Sequence, residues 1–145
     1  MKVLLVSAEV TPFAKVGGLA DVAGSLPKAL KELGVDIRVL MPKYPSVTRA
    51  GEELKRAVEA CPVPMPGWIS GCALDEARLP GSDVPIYFVE HNDYFWRDYV
   101  YGPPGGAYED NLERLSFLCR AALAVLTPLG WRPDVIHLND WHTSI

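Results

Sequence analysis

The chain has 145 residues, with 14 Lys and Arg against 18 Asp and Glu for a formal charge of −4, 49% hydrophobic residues and a mean hydropathy of +0.08, the profile of one ordinary soluble domain. A balance this close to neutral, with a pI near 5.3 and no run of Lys or Arg, lacks the electrostatic footprint of a nucleic-acid or anionic-bilayer partner. No apolar stretch approaches the roughly 20 residues of a membrane span, and the short apolar N-terminus meets Glu9 too soon to be a secretion signal, so a cytoplasmic protein is expected.

Lys2 to Ser7 is a nearly continuous apolar run, the pattern of a strand buried on both faces of a parallel sheet. Leu19, Val22, Ala23, Leu26, Ala29, Leu30 and Leu33 then recur at helical spacing, opposite Asp21, Ser25, Lys28, Lys31 and Glu32, with Pro27 expected to kink the helix. Gly34 stands where a left-handed C-cap is wanted, and Asp36 to Met41 reads as the next strand, which completes a βαβ unit.

From Thr48 to Ala60 the charges fall in a helix-compatible pattern. Cys61-Pro62-Val63-Pro64-Met65-Pro66-Gly67 is expected to forbid regular structure, and Gly71 to Arg78 is read as strand or hairpin. Pro85 to Glu90 is a strand. An aromatic and glycine-rich loop follows from His91 to Tyr108, long enough to suggest a job of its own. Asp110 is placed to cap a helix whose Leu112, Leu115, Cys119, Ala122, Leu123 and Leu126 share a face, stopped by Pro128 and Gly130; Asp134 to Leu138 is the last strand. The fold class implied is α/β, a Rossmann-like, doubly wound parallel sheet with Lys2 to Ser7 as a central strand. Cys61, Cys72 and Cys119 are odd in number and widely spaced, so they are read as buried thiols rather than a disulfide framework or a metal pair.

In an open parallel sheet, ligands bind beyond the carboxyl ends of the strands, and three polar segments stand at such places. In Glu9 to Leu19, the paired Gly17 and Gly18 lead straight into a helix, which bares backbone N–H groups at the positive end of its dipole, and Lys15 adds a full charge; a diphosphate would suit it. The same spacing also fits a plain tight turn with Lys15 solvated. GxxxxGK[ST] is missing, and Met41-Pro42 occupies the place where a dinucleotide site would carry an acidic residue, so neither a P-loop nor an NAD site is supported. His137-Leu138-Asn139-Asp140-Trp141-His142-Thr143 groups two histidines, an amide and a carboxylate into a rim suited to sugar hydroxyls. Asp140 as a helix cap, His137 in the sheet packing and Trp141 in the core are the structural alternatives. The spacing lacks HExxH and a third ligand, so no metal is expected. Tyr94, Phe95, Trp96, Arg97, Tyr108 and Asp110 combine aromatic faces with carboxylates, as carbohydrate stacking wants, although for Asp110 helix capping competes.

Lys2 to Val22, containing Ser7-Ala8-Glu9-Val10-Thr11-Pro12-Phe13-Ala14-Lys15-Val16-Gly17-Gly18-Leu19-Ala20-Asp21-Val22, resembles the opening of bacterial glycogen synthases and plant starch synthases. The likeness continues through Ser25 to Leu30, Met41-Pro42-Lys43-Tyr44, Tyr108 to Arg114 and His137 to Thr143, and is weakest between Thr48 and Pro80.

The resemblance implies a retaining transferase that moves glucose from ADP-glucose to the nonreducing 4-hydroxyl of an α-1,4-glucan, without a metal or other cofactor. It also implies two Rossmann-like domains in the GT-B arrangement, of which residues 1–145 would be the N-terminal part, with the C-terminal nucleotide-binding domain absent. Ile145 falls where a helix would be getting under way, in keeping with a fragment. Carried over by resemblance, Lys15 binds the donor phosphates with Gly17 and Gly18, His142 lies against the transferred glucose, Asp110 contacts glucose or the acceptor, and Asp21 and Asn139 surround them. Two positions depart from the family pattern: Asn139 stands where many members have a histidine, and Trp96 where they have an aspartate. The fragment alone is expected to be inactive and to self-associate. A transferase using UDP-glucose and a noncatalytic glucan-binding or dimerising module are the other readings; continuation of the reading frame past Ile145 would separate module from enzyme.

Overall fold

The computed structural model describes residues 1–145 as a six-stranded sheet in the order β3-β4-β5-β2-β1-β6. The elements are β1 (Lys2–Val6), α1 (Gly18–Glu32), β2 (Asp36–Pro42), α2 (Pro45–Arg49), β3 (Lys55–Met65), β4 (Trp68–Arg78), β5 (Pro85–Glu90), α3 (Asn92–Phe95), α4 (Asn111–Ala124), α5 (Leu126–Leu129) and β6 (Val135–Leu138), closed by a 3₁₀ turn at Trp141–Thr143. No helix is long and apolar enough to cross a membrane. Four strands, β5, β2, β1 and β6, run parallel, as the apolar runs of β1, β2 and β5 imply. Val3 to Val6 are buried between β2 and β6, so β1 is interior, one place from the edge.

The chain steps one way from β1 to β2 to β5, then returns past its start to β6. Right-handed crossovers therefore put α1 and α4 on opposite faces. The order reverses between β1 and β6, and that switch point is where such sheets leave a crevice beyond the carboxyl ends. The loops after these two strands are Glu9 to Gly17 and Asn139 to Thr143.

The other end of the sheet departs from the expectation of an all-parallel arrangement. β3 and β4 form an antiparallel hairpin, and β4 is antiparallel to β5. Of Thr48 to Ala60, expected to be helix, only Thr48 and Arg49 at the end of α2 are helical, and the chain from Lys55 through the proline-rich segment to Met65 is strand. β3 is an edge strand paired on one side only, so Pro62 and Pro64 can alternate outward while Cys61, Val63 and Met65 point into the core. A bulge between Val58 and Cys61 sets that alternation. The turn after Met65 uses Gly67 at φ +85°, which a side chain would strain. Cys61 and Cys72 are buried and opposite each other across the hairpin, and Cys119 is half-buried; all three are free thiols.

α1 is continuous through Pro27, and it packs on small residues rather than on the large apolar ones expected. Ala20, Ala23, Gly24 and Pro27 are buried, Leu26 and Leu30 flank them, and Val22 and Leu33 are exposed. The cause is close approach: a Cβ on Gly24 would lie 2.7 Å from the Thr11 carbonyl oxygen, so the helix rests directly on the loop that follows β1. Gly34 ends it at φ +83°, as expected. In α4 the buried face is Arg114, Leu115, Phe117, Leu118, Ala121 and Ala122, whereas Leu112 and Leu123, assigned to that face from spacing, are exposed.

Candidate active site at the sheet switch point

Glu9 organises the loop after β1. It is 3% exposed, and one carboxylate oxygen accepts the backbone N–H groups of Val16 and Gly17 (3.0 Å from Gly17) while the other accepts the Tyr101 hydroxyl at 3.2 Å. Gly17 is the N-cap of α1 and Gly18 its first residue, and a Cβ at either would meet open space. The two glycines thus differ in what they offer: the Gly17 N–H is committed to Glu9, whereas the Gly18 N–H has no acceptor in the chain. Lys15 pairs with Asp21 in the first turn of α1 at 2.7 Å, both side chains being half-exposed, and Thr11 also donates to Asp21. The Lys15 ammonium holds the Asp21 carboxyl below the usual carboxylate range. An exposed pair of this kind contributes little to stability and exchanges partners easily, so Lys15 is available to an incoming phosphate.

On the β6 side, Asn139 is buried, and its side-chain amide donates to the Val6 carbonyl at 3.0 Å, tying the ends of β6 and β1 together. Asp140 accepts the Trp141 N–H at 2.7 Å, the capping role foreseen for it. It is the one non-glycine residue at positive φ, with φ 66° and ψ 176°. That region is almost restricted to glycine and costs on the order of 1–3 kcal/mol, strain of the sort that clusters at functional sites. Trp141, a core candidate from sequence, is 55% exposed.

His142 is 6% exposed, and its ring lies between two aromatic rings, Tyr101 at 4.4 Å and 17° and Trp141 at 4.2 Å and 37°. Neither ring nitrogen has a hydrogen-bond partner, and Nδ1 is fully buried. Burial moves its pKa below the ordinary histidine value, against the opposing pull of Asp140 and Glu9, so the ring is neutral at pH 7. A buried, unpartnered imidazole at a switch point is a ready partner for a ligand hydroxyl.

Asp110 belongs to a different cluster. It occupies the N-cap position of α4 but makes no side-chain cap. Both its oxygens face Arg97, at 2.7 Å from Nη1 and 2.5 Å from Nη2, and that guanidinium holds its carboxyl below the ordinary value. Arg97 and the fully buried Arg114 both lie over the Tyr108 ring. Arg114 donates to the carbonyls of Tyr94 and Val100, and Asn111 to that of Tyr101, so this cluster shapes the long loop and delivers Tyr101 to His142.

Sequence reading missed Glu9, Tyr101 and Arg114. Arg114 carried a signal, since it lies three, four and seven residues before Phe117, Leu118 and Ala121, on the buried face of α4. Glu9 stood in plain view two residues beyond a buried strand, while Tyr101 carried no local signal at all.

The mostly parallel sheet, with its polar residues gathered beyond the strand ends at the switch point, has a Rossmann-like fold of the kind found in GT-B glycosyltransferases. The chain belongs to the starch synthase catalytic domain family, whose model matches residues 2–145. It is 43% identical to a glycogen synthase of Geotalea daltonii over 145 residues and 47% identical to one of Syntrophotalea carbinolica over 148, in each case 100% of this chain and 30% of the relative. Among solved structures it is similar to the catalytic domain of starch synthase IV from Arabidopsis thaliana bound to ADP and acarbose. That likeness has a TM-score of 0.85 and 32% identity, and covers 98% of this chain and 28% of that one. The chain therefore spans about three-tenths of the length of the curated relatives it matches.

Proposed function

We propose that residues 1–145 form the acceptor-side, N-terminal part of a glycogen synthase that transfers glucose from ADP-glucose to the nonreducing 4-hydroxyl of an α-1,4-glucan with retention. The nucleotide-gripping domain would lie outside this chain. The observation that carries the reading is the meeting, at the β1/β6 switch point, of a helix N-terminus bearing a free Gly18 N–H and an exchangeable Lys15 with a buried, unpartnered His142. Its support from relatives is the starch synthase IV structure, which is bound to ADP and acarbose.

In this reading Lys15 leaves Asp21 for the donor diphosphate, and the Gly18 N–H adds a fixed dipole where charge grows on the departing ADP. His142, neutral because it is buried, hydrogen-bonds a hydroxyl of the transferred glucose without placing a cation beside a sugar that is itself becoming cationic. Asp110, paired with Arg97, supports the acceptor side. Val135 and Leu138 on β6, Leu123 on α4 and Ile145 are each about half-exposed, so the chain alone should self-associate as well as lack activity.

The test is transfer of labelled glucose to glycogen by the complete transferase and by residues 1–145, with ADP-glucose and UDP-glucose in parallel, and light scattering of the short chain. The reading expects transfer by the complete protein only, with ADP-glucose preferred. Transfer by the 145-residue chain would overturn the two-domain proposal, and preference for UDP-glucose would overturn the donor.

A further inference from the structure

The His142 ring is held in place by stacking alone, since no hydrogen bond reaches either nitrogen. Trp141, the neighbour on one side, is half-exposed and adjacent in sequence, so it cannot fix the ring plane by itself. Tyr101, on the other side, is the better-anchored wall. Its ring is nearly parallel to the imidazole, its hydroxyl is anchored on Glu9, and its carbonyl accepts from Asn111 Nδ2 at 2.8 Å and from the Tyr108 N–H at 2.9 Å. Glu9 in turn is fixed by two backbone N–H groups at the start of α1. A buried carboxylate needs such partners to exist at all, and here they run in one direction, from the glycine loop to the imidazole.

We propose that Glu9 is a positioning residue: one carboxylate oxygen fixes the glycine loop and the other, through the Tyr101 hydroxyl, sets the plane of the His142 ring, so that the phosphate-facing and sugar-facing parts of the site are built on a single side chain. The kinetic half of the test rests on the functional reading above, whereas the spectroscopic half does not. Charge is not what this role requires. Gln in place of Glu9 keeps an oxygen for the loop N–H groups and an amide that can donate to the Tyr101 oxygen, whereas Ala keeps neither.

The ring protons of His142, lying between Tyr101 and Trp141, should resonate well away from those of His91 and His137 in the 145-residue chain. Glu9→Ala should return them toward ordinary positions and, in the complete transferase, lower kcat at least tenfold with the KM for donor changed less than threefold. Glu9→Gln should keep the shifts and hold kcat within about threefold. If Glu9→Ala does not fold, Tyr101→Phe and Tyr101→Leu carry the test: the first should broaden and partly move the His142 signals, and the second should move them further, leaving only the displacement due to Trp141, with kcat falling in the same order. Unchanged His142 resonances in Glu9→Ala or in Tyr101→Leu would overturn the proposal. So would a Glu9→Gln variant as impaired as Glu9→Ala. A fully active His142→Ala enzyme would instead overturn the functional reading and leave the spectroscopic result to judge the positioning role.

Discussion

Two lysines stand just beyond the carboxyl ends of neighbouring strands, and the chain treats them in opposite ways. Lys43, after β2, is 12% exposed and sits between Asp75, at 2.6 Å, and Glu90, while Arg56 binds the same two carboxylates. Burial works to lower the Lys43 pKa, but the hydrogen bonds and charges of Asp75 and Glu90 outweigh it and hold it raised. Lys15, after β1, has one carboxylate partner, and both are half in water. Position beyond a strand end therefore does not by itself make a charge functional. What separates the two is whether its partners are desolvated: the four-membered cluster is committed to fastening the β3–β4 hairpin onto β2 and β5, and the Lys15 pair is free to reopen.

The sharpest way to break this comparison is at the group without a partner on the side proposed to be functional. His142→Ala should lower glucose transfer by the complete transferase at least a thousandfold, about 4 kcal/mol of barrier. Thermal unfolding should shift by no more than about 1–2 kcal/mol. Activity that merely follows unfolding would move His142 to the structural side. On that side, Lys43→Met leaves a buried Asp75 with Arg56 as its remaining cation, and urea denaturation should report a loss of about 3 kcal/mol, toward the low end for breaking a buried pair. A change under about 0.5 kcal/mol would make the cluster no different from the Lys15 pair.

The pH dependence follows from the same division. Burial depresses the pKa of both His91 and His142 from the ordinary value near 6.5. Their contribution is therefore complete above that value and is lost as pH falls through their lower folded values, because the unfolded chain takes up protons first. The Lys43 pKa is raised, so its contribution is complete below the ordinary lysine value and is lost as pH rises through its higher folded one. Unfolding free energy measured from about pH 8 down to about pH 5 should fall, and a His91→Gln, His142→Gln double variant should flatten that slope. An unchanged slope would refute the burial account. The smallest expected effect is on the fold at Lys15: Lys15→Ala should alter stability by less than about 0.5 kcal/mol while weakening ADP binding by the complete transferase, read by calorimetry. Unaltered ADP affinity would return Lys15 to a solvated surface role.

The parallel half of the sheet was legible because its signals are local. β1, β2 and β5 are runs of apolar residues buried on both faces, Gly34 marks the end of α1, and the glycine pair marks its start. The hairpin was misread for an equally physical reason. Prolines argue against a strand only where both neighbours require its N–H groups, and nothing local in Cys61 to Met65 says that β3 lies on an edge. Helical spacing likewise put Val22, Leu33, Leu112 and Leu123 on buried faces, but α1 meets the loop after β1 at Gly24, where a side chain would collide with the Thr11 carbonyl.

By itself the sequence determined the α/β class, the family, and where along the chain the glycine loop and the His137–Thr143 rim would fall, because those features depend on short-range periodicity and on residues adjacent in the chain. Only the tertiary structure decided which groups meet. It gave the Gly17 N–H to Glu9 and left that of Gly18 free, it set Asp110 against Arg97 instead of a helix end, and it laid Tyr101, 41 residues before His142, along the imidazole. Those outcomes depend on the fold back of β6 onto β1 and on the path of a long loop over the sheet rim, and pairing across such distances leaves no periodic mark in a sequence.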